Sequence, residues 1–343
     1  MTMAARQARL AGLVREFARC RVVVVGDAVA DQFLYGEISR VSREAPVLIL
    51  RHERTETVPG GAANCAANLA ALGAQAALVG VVGPDESGRA LLGQLQALGV
   101  DCENLLSIPT QTTATKVRIL AGHAHSTRQQ VIRVDYEGTP LADADTKAQL
   151  AERLHAACAT ADAVIISDYN YGVACAEVIE SLRTCARARK FPVLVDSRFR
   201  LLEFAGFTSG TPNEDEVEQV LGRRLTETTL DAAAAELCAR LDYAALLVTR
   251  GPHGMVLLER GRAPVHLPAV GASEAVDVTG AGDTVIATYT LALARGASFA
   301  DAAHLANHAG GLVVMKRGTA TAAPNELLAS VLENDEAGAM QAE

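Results

Sequence analysis

The sequence predicts a layered α/β fold with a mainly parallel central sheet and a small second β-sheet. Short apolar runs alternate with helix-like segments over most of the 343 residues, which is typical of strand–helix–strand units. Several of these runs end in a carboxylate or a glycine, as strands commonly do where a parallel sheet binds its ligand. Two stretches, 33–58 and 113–135, interrupt the alternation with β-prone segments, so we expect them to pair as a separate small sheet.

The composition is that of a globular protein with a large core. Hydrophobic residues make up 50% of the chain and charged residues 21%, and no apolar run is long enough to span a bilayer. The arginine-bearing N-terminal segment reads as an amphipathic helix, without the core or cleavage site of a signal peptide. These properties predict one domain over 1–343 with no membrane partner.

Cysteine usage indicates the cellular compartment, and the net charge limits the classes of binding partner. Seven cysteines are scattered without any Cys-x-x-Cys pair, which indicates free thiols in a cytoplasmic protein. The formal net charge is −9, and the chain has no tryptophan and no run of lysines or arginines. Nucleic acid is therefore a poor candidate partner.

The first predicted strand, 22–25, is an apolar run that leads into two carboxylates, Asp27 and Asp31. Carboxylates at strand ends commonly line the ligand crevice of an α/β sheet. A helix or turn cap is an equally good interpretation of either residue.

A glycine pair marks the next element. Gly60 and Gly61 precede a helix predicted over 62–72, and without side chains they let a ligand approach the backbone N–H groups. Asn64, in the first turn of this helix, carries an amide that can both donate and accept hydrogen bonds. The alternation then continues with a strand and a helix, at 75–82 and 88–98.

The second half of the chain repeats the strand–helix pattern. The predicted helices are 145–160, 174–190 and 298–315, and the predicted strands are 163–167, 192–195, 244–249, 255–258 and 264–267. Asp168 and Asp196 directly follow two of these strands. Asn213 and Glu216 fit a helix N-cap and its partner three residues later, a pairing that needs no function.

The stretch Thr279-Gly280-Ala281-Gly282-Asp283 carries the strongest functional signal. It reads as a tight turn before a buried helix, because an apolar run over 285–294 follows it. Backbone N–H groups at a helix start have no intrahelical partner, and together with the helix dipole they suit a phosphate. A carboxylate at Asp283 would be poised to accept a proton, so the combination predicts phosphoryl transfer to a hydroxyl. A glycine-rich helix start without function is the alternative.

Standard nucleotide-binding motifs are absent: the sequence has no P-loop pattern, and no Gly-x-Gly-x-x-Gly follows the first strand. Instead, 279–283 resembles the C-terminal signature of the ribokinase-type (PfkB-type) carbohydrate kinases, and Gly60-Gly61 with Asn64 resembles their N-terminal signature. Further matching residues fall in the family's order over about residues 20–330, namely Asp27 with Asp31, Asn213 with Glu216, and Thr249 with Gly251 and Gly254.

The resemblance implies a ribokinase-like α/β/α core, a β-sheet lid formed by about 33–58 and 113–135, and an ATP-dependent sugar kinase that uses Mg²⁺. Asp283 would take the proton from the sugar hydroxyl, beside an anion hole formed by Gly280, Ala281 and Gly282. The sugar would be bound by Asp27, Asp31, Gly60, Gly61, Asn64, Arg133 and Asp168. The nucleotide would be bound by Asp196, Asn213, Thr249, Gly251, Gly254 and Asn307. Glu216 would hold Mg²⁺ through water, and a monovalent cation, with K⁺ as the candidate, would be held by Asp277 and Thr279. Lids of this family often pair across a dimer, so the resemblance also implies a homodimer through the lid.

Within the family, the chain resembles bacterial heptose 7-phosphate kinases, the lipopolysaccharide-core enzymes that phosphorylate the anomeric hydroxyl. The similar segments are 35–36, 40–46, 59–64, 115–118, 132–135 and 167–169. Tyr171 stands where that branch has a lysine, and Arg198 replaces a second lysine with a different donor geometry. Other sugars, sugar phosphates and nucleosides therefore stay open as substrates. A sugar-sensing pseudokinase is the remaining alternative, and the intact Asp283 argues against it.

Overall fold

The computed structural model of the chain describes residues 3–122, 128–271 and 275–340. In these ranges the helices are α1 Met3–Arg15, α2 Ala62–Ala71, α3 Glu86–Ala97, α4 Ala144–Cys158, α5 Ala176–Arg189, α6 Glu214–Leu221, α7 Leu230–Arg240, α8 Ala281–Ala294, α9 Phe299–Val313 and α10 Pro324–Met340. The strands are β1 Arg21–Gly26, β2 Ala28–Val41, β3 Leu48–Gly61, β4 Gln75–Val82, β5 Leu105–Ser107, β6 Thr115–Gly122, β7 Gln129–Tyr136, β8 Ala163–Asp168, β9 Val193–Ser197, β10 Ser209–Gly210, β11 Ala245–Thr249, β12 Met255–Glu259 and β13 Val265–Leu267.

The central sheet of the described residues has nine strands in the order β13-β12-β11-β10-β9-β8-β1-β4-β5. Pairing is parallel from β11 to β5, whereas β12 and β13 are antiparallel to their neighbours. This confirms the predicted mainly parallel sheet. Because the carboxyl ends of parallel strands share one edge, the loops after β1, β8, β9 and β11 all open on the same crevice.

Strand β1 shows how the layers are built. Val22 and Val24 pack into a core with helices α2, α8 and α9 on one face of the sheet, and Val23 and Val25 pack into a second core with α4, α5 and α7 on the other face. All four side chains are fully buried. A strand buried on both faces has no polar positions, which explains its uninterrupted apolar run. The predicted α/β/α layering is confirmed.

The predicted second sheet is present and has four strands in the order β3-β2-β6-β7. Strands β2 and β3 form a long antiparallel hairpin, and β6 joins β2 in parallel. The hairpin is longer than 33–58, because Ala28 and Ala30 at the start of β2 are buried in the main core and pair with the end of β3. Residues 123–127 of the predicted 113–135 stretch lie outside the described ranges.

The helices were also considered as possible membrane spans. Among the described residues, no helix combines the length and the apolar character that a bilayer crossing needs.

Candidate active site

A cavity of about 620 Å³ opens at the carboxyl edge of the central sheet, under the small sheet. The small sheet and its junction with α2 contribute Val29, Asp31, Gly61, Lys116, Arg118 and Arg133. The loops after β8, β9, β10 and β11, with helix α6, contribute Asp168, Tyr169, Asp196, Arg198, Phe199, Thr211, Asn213, Asp215, Glu216, Gln219 and Thr249. The turn before α8, its first residues and the loop before α10 contribute Val278, Thr279, Gly280, Gly282, Asp283 and Thr319.

Twelve of the residues predicted for the site line this one cavity. They are Asp31, Gly61, Arg133, Asp168, Asp196, Asn213, Glu216, Thr249, Thr279, Gly280, Gly282 and Asp283. Eight others are placed behind or beside it, namely Asp27, Gly60, Asn64, Gly251, Gly254, Asp277, Ala281 and Asn307.

The glycine turn delivers Asp283 into the cavity. Gly280 has φ 77°, a left-handed conformation that favours glycine, and helix α8 begins at the next residue. The Ala281 amide donates to the Val278 carbonyl at 3.2 Å, so it is engaged within the turn. Gly282 and Asp283 occupy the next two positions of the first helical turn, where backbone N–H groups have no intrahelical acceptor.

Two neighbouring side chains hold the carboxylate of Asp283, which is only 5% exposed. Asn64 Nδ2 donates to Oδ2 at 2.6 Å, and Cys65 Sγ donates to Oδ1 at 3.2 Å. Burial raises the pKa of Asp283 to about 6, against the opposing effects of these two hydrogen bonds and of the Lys116 charge. At neutral pH the group is therefore ionised, with an affinity for protons well above that of an ordinary aspartate.

Asn64 donates to Asp283 in this structure, whereas the sequence predicts a contact with the sugar. Asn68, one turn later in α2, donates to Asn64 Oδ1 at 3.1 Å and accepts from Thr284 Oγ1 at 2.7 Å. Since Thr284 follows Asp283, the hydrogen bonds form a closed buried circuit between helices α2 and α8. The circuit fixes the amide of Asn64 for donation to the carboxylate.

Asp27 also has a different setting from the predicted sugar contact. Its buried carboxylate accepts hydrogen bonds from the backbone N–H groups of Tyr169 (2.8 Å), Tyr171 (3.0 Å) and Val173 (3.1 Å). Burial nevertheless raises its pKa. Asp27 thus holds the loop after β8, which carries Tyr169 into the cavity.

The glycine pair makes room for the two aspartates. A Cβ at Gly60 would lie 2.8 Å from Asp31 Oδ2, and a Cβ at Gly61 would lie 2.7 Å from the Asp27 carbonyl oxygen. Gly61 also has φ 55°. Close packing of β2, β3 and the start of α2 accounts for both glycines.

Carboxylates crowd the floor of the cavity. Burial, then the charges of Glu216, Asp283 and Asp168, raise the pKa of Asp196, and burial raises the pKa of Glu216. Asn213 and Glu216 form a reciprocal capping box at the start of α6, with distances of 2.8 and 3.0 Å. Within the described ranges, no three His, Cys, Asp or Glu side chains are arranged to bind a metal directly. A cation held through water fits this arrangement better than one held in a protein cage.

Four cationic side chains face these carboxylates across the cavity. Arg118 forms an ion pair with Asp31 at 2.7 Å, and Arg133 forms a two-pronged one with Asp135 at 2.8 and 3.0 Å. The other two cations are Lys116, whose Nζ lies 4.8 Å from the centroid of the Tyr169 ring, and Arg198. In the part of the chain that the structure describes, neither has a carboxylate within 4.0 Å. Burial lowers the pKa of Lys116, as expected for an ammonium with no close anion.

The sequence predicts a sugar contact for Arg133 and marks Arg198 as a substituted lysine position, but it predicts no individual role for Lys116 or Arg118. The available signal was alternation, because residues two apart on a strand share a face. The two positions at which the sequence departs from the lysines of the heptose kinases, Tyr171 and Arg198, lie in different cavities. Arg198 lines the main cavity, whereas Tyr171 lines a different hollow of about 30 Å³ beside Leu141.

The remaining predicted residues brace the loops around the cavity. Gly254 has φ 83°, and a Cβ there would lie 2.0 Å from the Leu267 carbonyl oxygen, so glycine is needed where β12 begins. Asn307 Nδ2 donates to the Pro268 carbonyl at 2.7 Å. Asp277 accepts from the backbone N–H groups of Thr279 (3.0 Å) and Gly318 (2.9 Å), which ties the glycine turn to the loop before α10.

Comparison with known proteins gives one family. The family model described as pfkB family carbohydrate kinase matches residues 20–326. The bifunctional protein HldE of Pseudomonas aeruginosa (strain UCBPP-PA14) is 45% identical over 316 residues, covering 92% of this chain and 64% of that protein. HldE of Edwardsiella ictaluri is 44% identical over 313 residues, covering 91% and 63%. The chain thus spans a little under two thirds of these relatives.

Solved structures agree on the fold. Arabidopsis thaliana ribokinase, in a complex with ribose and ATP, superposes with a TM-score of 0.70 at 22% identity, covering 91% of this chain and 98% of that one. Escherichia coli phosphofructokinase-2, in complex with substrates and products, has a TM-score of 0.74 at 19% identity and the same coverage. The ribokinase-like fold and the carbohydrate-kinase assignment are both confirmed. This chain belongs to the pfkB family of carbohydrate kinases.

Proposed function

We propose that this kinase transfers the γ-phosphoryl group of ATP to a hydroxyl of a sugar that already carries a phosphate, with the anomeric hydroxyl of a heptose 7-phosphate as the best candidate. One observation carries the proposal. A buried carboxylate at the start of a long helix, Asp283, shares a single cavity with four cationic side chains.

Asp283 is the proposed catalytic base. With a pKa of about 6 it is ionised at neutral pH and can accept the proton of the attacking hydroxyl. The N–H groups of the turn before α8, around Gly280 and Gly282, are suited to charge on the transferring group. Positioning and electrostatic stabilisation supply most of the acceleration in phosphoryl transfer, and both are built into this turn.

ATP and its cations fit the other side of the cavity. Asn213, Thr249 and the loop through Gly251 and Gly254 are proposed to bind the nucleotide, together with Asp196 and Asn307. Mg²⁺, held through water near Glu216, would neutralise phosphate charge. Burial and nearby negative charges raise the pKa values of Asp196 and Glu216, which supports a cation there. K⁺ is proposed beside Asp277 and the Thr279 carbonyl as an activator.

Lys116 and Arg198 support a phosphorylated acceptor. Both line the cavity without a carboxylate partner among the described residues, so their charges are available to an incoming anion. Arg133 adds a third cation from the small sheet. The relatives at 44–45% identity are HldE proteins and support the heptose branch. A role in making the lipopolysaccharide core is part of the same proposal. Asp31 is then proposed as a ligand of a sugar hydroxyl, oriented by its ion pair with Arg118.

The small sheet is proposed to act as a lid. It covers the sugar side of the cavity and would exclude water, which limits hydrolysis of ATP. Its strand β7 leaves Ile132, Val134 and Tyr136 exposed on the same face, away from the Arg133 side chain that lines the cavity. Exposed apolar side chains of this kind support a homodimer through the lid. The seven free cysteines support a reducing compartment, the cytoplasm.

The test is ADP release over a panel of acceptors, assayed with and without K⁺. Heptose 7-phosphate is compared with the same heptose lacking phosphate, fructose 6-phosphate, ribose and a nucleoside. We expect the phosphorylated heptose to have the highest kcat/KM, because a neutral sugar offers no anion for Lys116 and Arg198 to bind.

The Asp283→Asn variant is the control for the base. It should lose about 10³-fold or more in kcat while binding ATP normally, since an amide cannot accept the proton. Turnover close to wild type in this variant would remove Asp283 from the mechanism. A preference for an unphosphorylated sugar or a nucleoside would leave the base in place and move the substrate to another branch of the family.

A further inference from the structure

The Asp283 carboxylate is held by two donors. The sequence predicts a site role for Asn64, as a sugar ligand, and none for the other donor. The second is the thiol of Cys65, the next residue in the first turn of α2, with Sγ 3.2 Å from Oδ1. Cys65 is fully buried and does not line the cavity. Its contact with the carboxylate therefore comes from behind, on the side away from the substrate.

The thiol can serve as a donor because it keeps its proton. Burial and the charge of Asp283 hold the pKa of Cys65 well above its usual range. An S–H group facing a carboxylate in a dry environment is a donor facing an acceptor, and at 3.2 Å the separation fits a hydrogen bond to sulfur. Burial also makes this thiol a poor nucleophile, so a reactive role is not indicated.

We propose that Cys65 is a positioning residue for the catalytic base. The thiol on Oδ1 and the Asn64 amide on Oδ2 together fix the plane of the Asp283 carboxylate, so that its unoccupied lone pairs face the cavity. An aspartate is otherwise broadly free about its last side-chain torsion. This inference rests on the proposed role of Asp283 and adds a residue whose type gives no sequence signal.

Cys65 has a second consequence, for the pH dependence of the reaction. A donor to the ionised form stabilises that form, so the thiol, like Asn64, works against the burial that raises the pKa of Asp283. The charged groups that face Asp283 from other elements are Asp31 on β2, Lys116 on β6 and Asp196 on β9. Tyr169, after β8, is close enough for the Asp283 charge to raise its pKa. None of these is altered by a substitution at Cys65.

The experiment measures kcat and KM against pH for three variants. Cys65→Ala and Cys65→Val remove the donor, Val while largely filling the volume, and Cys65→Ser keeps a donor. We expect Ala and Val to lower kcat about three- to tenfold, less than for a full hydrogen bond to a charged group because S–H is a weak donor, with KM for ATP and sugar unchanged. Their acid limb of kcat/KM should move to higher pH, whereas Ser should restore the wild-type limb. Cys238→Ala, which removes a buried thiol of helix α7, is the matched control and should behave as wild type.

Several outcomes would overturn the proposal. An unmoved acid limb in both Ala and Val, or a Ser variant that behaves like Ala, would reduce Cys65 to packing. If Ala fails to fold, Val still carries the test, and thermal unfolding of each variant identifies that case. An inactive Asp283→Asn with unshifted Cys65 variants rejects this inference alone, whereas an active Asp283→Asn rejects the base itself.

Discussion

Asp283 is the residue on which the proposed chemistry depends, and its ionised form destabilises the fold. Its carboxylate is almost fully buried, and burial raises its pKa from 3.8 to about 6. The fold therefore favours the protonated form. The proposed base role needs the ionised form, so activity at neutral pH would require the less stable charge state of the native protein.

A pH-dependent stability follows from that shift. Because the folded pKa is raised, the stabilisation is complete below about pH 4 and is lost as the pH rises through about 6. The difference corresponds to about 3 kcal/mol. Wild type should therefore lose about 2–3 kcal/mol of unfolding free energy, relative to Asp283→Asn, between pH 4 and pH 7.

Denaturant unfolding at a series of pH values checks this prediction. Asp145→Asn, at an exposed carboxylate in the first turn of α4, is the matched control, since solvent already hydrates that group. A constant difference between wild type and Asp283→Asn across this pH range would show that the carboxylate is not destabilised by burial.

Single residues differed in how well the sequence revealed them. Asp283 and its glycines could be found because their chemistry is local: a turn, a helix start and a carboxylate in one short stretch. The setting of Asp27 could not, because its hydrogen-bond partners are 142 to 146 residues away. Cys65 carries no functional signal as a residue type, and only its position beside Asp283 reveals it.

At the scale of elements, the site depends on how the start of helix α8 meets the start of helix α2. Gly280 lies at this contact: a Cβ there would lie 2.6 Å from Asn64 Nδ2, the atom that donates to Asp283. The two helix starts can approach this closely only because the turn carries no side chain at this position.

Gly280→Ala should therefore damage activity more than stability. The new methyl group displaces the Asn64 amide, and the left-handed backbone adds about 1–2 kcal/mol of strain. We expect kcat to fall at least about tenfold, since the carboxylate loses one of its fixed donors.

Gly99→Ala is the matched control, because Gly99 has φ 79° with no atom within 4 Å of the added Cβ. It should show the same strain in thermal unfolding and a wild-type kcat. Equal kinetic effects in the two variants would mean that backbone strain, and not the contact with Asn64, decides the result.

Elements with strong periodicity were predictable, whereas two of the short strands and one helix were not. The alternation located β1, α2, β4, β8 and β9 to within a few residues. Strand β5 has three residues and β10 two, so their pairing with neighbours creates them and local sequence does not. Helix α7 follows a polar segment, and its own sequence has no distinct apolar stripe. Tertiary packing of residues such as Leu237 stabilises this helix.

At the scale of the whole molecule, the two sheets have different surroundings. The central sheet is covered on both faces, whereas the edge strand β7 of the small sheet is exposed along its length. Unpaired edges with apolar side chains are usually protected by a partner in stable proteins. The alternation in the sequence was sufficient to predict two sheets, but which faces stay uncovered depends on their relative placement.

The proposed homodimer gives the prediction at this scale. Replacing Ile132 and Val134 together by lysine should convert a dimer into a monomer in sedimentation equilibrium, because two charges would be buried in an apolar contact. Leu202→Lys, at an exposed leucine after β9, is the control and should remain dimeric. A wild-type protein that sediments as a monomer at tens of micromolar would end the proposal of a lid dimer.

The chain passes from the central sheet to the small sheet without a connecting loop, since β1 ends at Gly26 and β2 starts at Ala28. A sheet attached in this way has no free hinge at its base. There the backbones of β2 and β6 are paired in parallel, with Asp31 and Lys116 opposite each other in register. The pairing of β2 with β3 is irregular further out, between Tyr35 and Gly36 and between Ile38 and Arg40. We therefore expect the small sheet to be stiff at its base, beside the proposed sugar site, and more flexible toward its tip. Substrate selection and adjustment to a partner would then occur at opposite ends of the same strand.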